Sequence, residues 1–180
     1  HSEALRPVYS IVPTDAMDET VASELKGYRG DGPVRIGNAA ALQDQNDTYG
    51  SIILAVQPMF FDQRLPRPGD EALFRLLETL GDKAAELALK PDSGIWEFRG
   101  RRRVHTHSAA MCWAGVSRLA AIAARLGFAD RTAHWSAIAD RLQSDLLEQS
   151  WNPKLKAFSA AVGTDDIDAS VLLLPELGLI

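Results

Sequence analysis

Residues 70–89, DEALFRLLETLGDKAAELAL, carry apolar side chains at Leu73, Leu76, Leu77, Leu80, Ala84, Leu87 and Ala88. Steps of three and four residues line one face of an α-helix, so this stretch reads as an amphipathic helix opening after the loop Pro66-Arg67-Pro68-Gly69-Asp70. The same grammar recurs on both sides. From Asp44 or Asp47 to about Gln63 the apolar residues are dense (Tyr49, Ile52, Ile53, Leu54, Val56, Met59, Phe60, Phe61), which predicts a buried helix with Pro58 as a kink or early end. A long helix is expected from about Thr106 to Leu126, stopped by Gly127. Asp130 caps another that runs to about Gln149, with Trp135, Ile138, Leu142, Leu146 and Leu147 on one face, until Trp151-Asn152-Pro153 breaks it. Upstream, Asp15 to Leu25 reads as a short helix capped by Thr14 or Asp15; downstream, a last apolar helix opens near Asp168. No stretch alternates as a strand does. Successive helices joined by short or irregular loops imply an all-α array of helical hairpins.

The chain has 180 residues, 46% of them hydrophobic and 7% aromatic. That is enough to bury a sizeable core, with a single domain as the default. Lys and Arg number 19 against 24 Asp and Glu, a formal charge of −5, which argues against nucleic acid as a partner, because phosphate neutralisation needs a basic surface. No apolar run approaches the ~18 residues of a membrane span, and no basic-then-apolar signal pattern opens the chain. A soluble protein with no membrane partner is expected, cytoplasmic rather than secreted. The lone Cys112 lies among apolar residues and reads as a core thiol. The chain starts at His1-Ser2 and stops at the apolar Leu177-Gly178-Leu179-Ile180, as a piece cut from a longer protein would.

Two loops are longer than a helical array needs, and long ordered loops tend to carry function. In Asp92-Ser93-Gly94-Ile95-Trp96-Glu97-Phe98-Arg99-Gly100 a carboxylate stands between two aromatic side chains. A Glu beside an indole in a partly apolar pocket is disfavoured as the anion and holds its proton to higher pH, which is what a glycosidase acid requires to protonate a leaving-group oxygen. Trp96 and Phe98 also offer flat faces on which a sugar ring can stack. The competing reading is a surface loop in which Glu97 pairs with Arg99 or Arg101. The second loop, from Gly27 to Asn38, is glycine-rich and carries Tyr28, Arg29, Arg35 and Asn38, whose donors suit sugar hydroxyls or carboxylates; it reads equally as a linker whose Arg pairs with a structural acid. It lacks the G-x-G-x-x-G and P-loop patterns of nucleotide sites. His105-x-His107 has the spacing of a metal pair but no carboxylate triad beside it, so no metal is expected. Asp165, Asp166 and Asp168 lack the Gly and distal Glu of an EF-hand and read as helix caps.

Several of these strings occur together and in order: Arg29-Gly30, Pro33-Val34-Arg35-Ile36-Gly37-Asn38-Ala39-Ala40-Ala41, Gln45-x-Asp47-x-Tyr49-Gly50, Gly94-Ile95-Trp96-Glu97-x-Arg99-Gly100, His107-Ser108 with Met111 and Trp113, and Asp168-Ala169-Ser170 before a Leu-rich stretch. From about Tyr28 to its end the chain resembles glycoside hydrolase family 15, which holds glucoamylases, glucodextranases and a bacterial trehalase branch. The resemblance implies part of an (α/α)6 toroid and an inverting glycosidase that cleaves α-glucosidic bonds in a gluco-oligosaccharide or trehalose without a cofactor. In such enzymes one carboxyl group protonates the departing oxygen while another, ~6.5–9.5 Å away, activates water on the opposite face. The family's acid carries over to Glu97, and Tyr28, Arg29, Arg35, Asn38, Trp96 and Arg99 carry over as candidate sugar contacts.

The family's upstream Trp-x-Arg-Asp motif has no counterpart here, and its catalytic base lies well downstream of the Asp-Ala-Ser segment. The resemblance therefore implies that the 180 residues hold one carboxylate of the two and are nearly inactive alone. An open toroid would also expose inner helices and favour self-association. The alternative is a non-catalytic helical domain that binds a sugar or a partner. A helical-toroid epimerase or lyase would share the architecture without explaining the ordered strings.

Overall fold

The structure is a computed structural model that describes residues 5–12 and 17–180. Where composition sets one domain as the default, the chain divides into two compact units, His1–Asp44 and Gln45–Ile180.

In the first unit β1 (Thr20–Val21) pairs antiparallel with β2 (Arg35–Ile36), Thr20 opposite Ile36 and Val21 opposite Arg35. The helix expected over Asp15 to Leu25 is thus absent from its described part, and its Thr14 and Asp15 caps lie outside the described residues. The physical reason lies in the backbone donors and acceptors. Asn38 donates to the Met17 carbonyl at 3.1 Å and Ala22 donates to the Val34 carbonyl at 2.9 Å, so the segment is paired across the loop instead of along itself. The β-branched Thr20 and Val21 suit that extended form. A short 3-10 turn follows at Ala39–Leu42.

The second unit is mostly helical: α1 (Asp47–Val56), α2 (Pro58–Phe61), α3 (Glu71–Leu87), α4 (Thr106–Arg125) and α5 (Ala129–Ser150), then a hairpin of β3 (Trp151–Asn152) and β4 (Ala157–Phe158), a 3-10 turn at Ala169–Leu173 and α6 (Leu174–Leu177). The two ladders correct the expectation of no strands, but each is only two residues per strand. Pro58, which has no N–H to continue α1, sits at the first turn of α2. Asp70 caps α3, accepting from the Leu73 N–H at 2.8 Å. Asp130 stands in the first turn of α5 and Phe128 at its cap position, a correction of two residues. Among the described residues no helix is long and apolar enough to cross a membrane.

Helix α4 is the centre of this unit, packed against α1, α3 and α5. It reaches them because its contact faces are small. Gly115 lies against the Gly50 backbone, and a Cβ on Gly50 would run into the Met111 carbonyl. On the far side Leu119 and Trp135 close on Gly81 of α3. The buried Glu78 of α3 accepts from the Trp135 indole at 2.8 Å, from Arg131 at 2.5 Å and from Arg75 at 2.9 Å. Burial alone would raise its pKa; the three donors outweigh that and hold it below the usual value. The end of α3 is closed by Asn46, whose amide donates to the Leu87 and Lys90 carbonyls, each at 3.0 Å.

Because Gly50 meets backbone rather than a movable side chain, Gly50→Ala is expected to cost about 3 kcal/mol or more, a fall in Tm of roughly 6–12 °C. Calorimetry checks this; an unchanged Tm would contradict the close α1–α4 approach.

Candidate active site

The loop carrying Trp96 and Glu97 is closed at its base by backbone pairing: Asp92 donates to the Arg103 carbonyl at 2.9 Å and Arg103 donates back at 3.1 Å. The Asp92 side chain is fully buried. Its Oδ2 accepts from the Asn46 N–H at 2.9 Å, just before α1, and from the Ser108 hydroxyl at 2.7 Å, in the first turn of α4. One carboxylate thus ties the loop's foot to two helix starts. Inside the loop Glu97 donates to the Gly94 carbonyl at 3.0 Å and Phe98 to that of Ser93 at 3.1 Å. This tight turn puts Glu97 at φ 54°, a left-handed conformation that costs a non-glycine residue ~1–2 kcal/mol. Strain held at one carboxylate motivates a search for function there.

Beside the turn is a cavity of ≈ 300 Å³. Trp96, Phe98, His105, His107, Asp168 and Ser170 line it, with Arg101 and Arg103. The walls are braced. The Arg101 guanidinium sits 3.8 Å from the Phe98 ring centre, and Phe98 stacks on His105 at 5.7 Å. Arg103 pairs with Asp166 at 2.7 Å. The Trp96 indole, about half exposed, donates to Asp168 Oδ2 at 2.8 Å. Thr106 fixes the start of α4 by donating from its hydroxyl to the Ser159 carbonyl at 2.7 Å.

Burial pushes the pKa of both His105 and His107 down, against the opposing pull of Asp92 and Asp168, so both imidazoles are held toward the neutral form. Burial of Asp168 works upward on its carboxyl but is outweighed by the hydrogen bonds from Ser170 and Trp96, which hold it below its ordinary value and hence ionised. Behind the loop Asp47 is raised to about 6, first by burial and second by the charge of Asp92. The Cys112 thiol is pushed well up by burial and donates to the Asn46 carbonyl at 3.1 Å, an inert core group as its surroundings in the sequence suggest.

The residues singled out from sequence fall into both units. Trp96, Glu97 and Arg99 share the loop of the second; Glu97 and Arg99 are exposed, and the side chains on either side of Glu97 line the cavity while its own does not. Tyr28, Arg29, Arg35 and Asn38 lie in the first unit. Tyr28 is exposed, with the Arg29 guanidinium 5.3 Å from its ring centre. Arg35 pairs with Glu19 at 2.9 Å, as the linker reading of that loop allows, and Asn38 caps the Ala39–Leu42 turn by accepting from the Ala40 N–H at 2.9 Å. Sequence reasoning did not single out Asp92 or bring His107 and Asp168 to the site. Asp168 does cap, as its spacing suggests, accepting from the Ser170 N–H at 2.8 Å. Its second oxygen faces Trp96, 72 residues away, a pairing no local pattern announces.

The raised Asp47 has a consequence for stability. Folding favours its protonated form, so its contribution is complete below the unfolded value of 3.8, shrinks as pH rises and is gone above about 6. Asp47→Asn, neutral throughout, is expected to flatten the fall in Tm across that interval and to raise Tm at pH 7. Thermal melts from pH 4 to pH 7 check it; parallel profiles for parent and variant would contradict it.

Comparison with known proteins bears on what this loop belongs to. A model of the family described as Glycosyl hydrolases family 15 matches residues 1–180. Among curated proteins, the "Trehalase" of Thermoplasma acidophilum is 36% identical over 178 residues, covering 98% of this chain and 30% of that protein. The "Trehalase" of Mycobacterium tuberculosis is 33% identical over 170 residues, 94% of this chain and 24% of its own length. The "Trehalase 2" of Sulfolobus acidocaldarius is 31% identical over 169 residues, 94% of this chain and 29% of that protein. The chain thus spans less than a third of the length of these relatives. No solved structure gives a significant match. With the family model covering every residue and the Trp96-Glu97 loop in place, the chain belongs to glycosyl hydrolases family 15.

Proposed function

We propose that these residues form the general-acid part of an inverting α-glucosidase domain, with Glu97 as the acid and trehalose as the first substrate to test. The observation that carries this reading is the strained Glu97 turn, set between Trp96 and Phe98 beside a cavity and closed at its base by the buried Asp92. Family membership supplies the reaction class, and the name trehalase on the curated relatives points to a disaccharide. In this reading Glu97 protonates the departing oxygen while an aromatic face, Trp96, supports the sugar and Arg99 offers a further donor; Tyr28, Arg29, Arg35 and Asn38 of the first unit are candidate sugar contacts on the family resemblance. Water is activated by a second carboxylate outside the 180 residues, consistent with the share of the relatives they span. The helical hairpins are then a sector of an (α/α)6 toroid, which alone leaves inner helices open to self-association. A cytoplasmic enzyme fits a chain whose one cysteine is a buried thiol.

Glucose release from trehalose, maltotetraose and isomaltotriose, compared between the 180-residue chain and the complete gene product, tests this. Turnover is expected from the complete product alone, with trehalose preferred. Inversion at one anomeric carbon of trehalose yields one β-glucose and one α-glucose, which proton NMR resolves before mutarotation; α-glucose alone would contradict inversion. Turnover by the short chain would place the second carboxylate within it, and sugar binding with no turnover by the complete product would make this a binding domain.

A further inference from the structure

Trp96 is held by a group that the proposed chemistry does not use. The indole is a large side chain half exposed to solvent, joined to the strained Glu97 by one peptide bond, and its hydrogen bond to Asp168 bridges the loop to the final 3-10 turn. Asp168 is itself fixed: its Oδ1 accepts from the Ser170 N–H at 2.8 Å while Oδ2 takes the indole at 2.8 Å. Both oxygens are thus engaged on separate elements, a two-sided grip that only a carboxylate provides, since an amide has one acceptor and would turn an N–H toward one of the two donors. His107 lines the same cavity, and its charge adds only the last-ranked pull on the Asp168 carboxyl, behind the hydrogen bonds from Ser170 and Trp96.

We propose that Asp168 is a positioning residue that acts through the Trp96 indole to fix the rotation of the Trp96-Glu97 turn. This rests on the reading of Glu97 as the acid. A left-handed residue at the apex of a loop stays there only when its surroundings over-determine it, and the cap-and-indole grip is one such constraint, pinning the residue next to Glu97 to the distant Asp168-Ser170 segment. Displacement of a reacting group by ~1 Å can cost ~100-fold in rate. Release of the indole is therefore expected to appear in kcat more than in KM.

The test is a double-mutant cycle on the complete gene product with Trp96→Phe, which keeps an aromatic ring and removes the N–H while leaving the Asp168 cap intact, and Asp168→Asn or Asp168→Ala. Each single change is expected to lower kcat by roughly 10- to 100-fold with KM within ~3-fold. In the Trp96→Phe background the Asp168 changes are expected to add little, because the tether is already gone. In parallel, acrylamide quenching of Trp96 emission, taken as the difference from Trp96→Phe, is expected to rise when Asp168 is changed. Multiplicative losses in the cycle, or unchanged Trp96 quenching, would overturn the proposal. Full turnover by Glu97→Gln would sink the acid reading instead, and the quenching measurement would still decide whether Asp168 holds the indole.

Discussion

The buried carboxylate of Asp92 holds the Trp96-Glu97 loop to its scaffold. It has no exposed surface, and burying a carboxyl group is costly unless hydrogen-bond partners replace water. Its Oδ2 takes two such partners, the Asn46 N–H and the Ser108 hydroxyl, so the same oxygen fixes the entry to α1 and the first turn of α4. Its backbone meanwhile pairs with Arg103 and closes the loop that carries Trp96 and Glu97. Asn46 in turn closes the end of α3 with its own amide. Three helices and the candidate site are therefore connected through two neighbouring polar residues.

The charge pattern follows from that anchor. A second carboxylate nearby, Asp47, carries a raised pKa because burial and Asp92 both penalise its anion. On the cavity side the burial of His105 and His107 keeps them toward the neutral form, whereas Asp168, supplied with donors, stays ionised. Each group is set by whether it is given a partner or denied water. The result is a cavity lined by imidazoles held toward the neutral form and by an Asp168 carboxylate engaged by donors, beside the exposed Glu97.

Much of the second unit was legible in the sequence. The steps of three and four residues in α3, the Gly127 stop after α4 and the Pro58 break between α1 and α2 are local signals, and they placed their elements within a few residues. The first unit was read less well: the acidic lead of Asp15 to Leu25 resembles a helix start, but the segment is held by backbone bonds to residues 34–38 that only the folded loop supplies. The Trp96-Glu97 loop was visible because its residue types state a chemistry. The grip of Asp92 and Asp168 was not, since beyond the local Ser170 cap their partners lie 16 to 72 residues away and nothing in the spacing encodes which oxygen faces which donor.

The central claim is that this loop presents Glu97 as a proton donor to a leaving oxygen, and leaving-group dependence tests it most directly. Trehalose needs that proton to release a sugar, whereas α-glucosyl fluoride departs as fluoride without it. In the complete gene product, Glu97→Gln is predicted to lose ~10²–10⁴-fold on trehalose while turnover of the fluoride stays close to that of the parent. Equal losses on both substrates, or full activity on trehalose, would contradict the account.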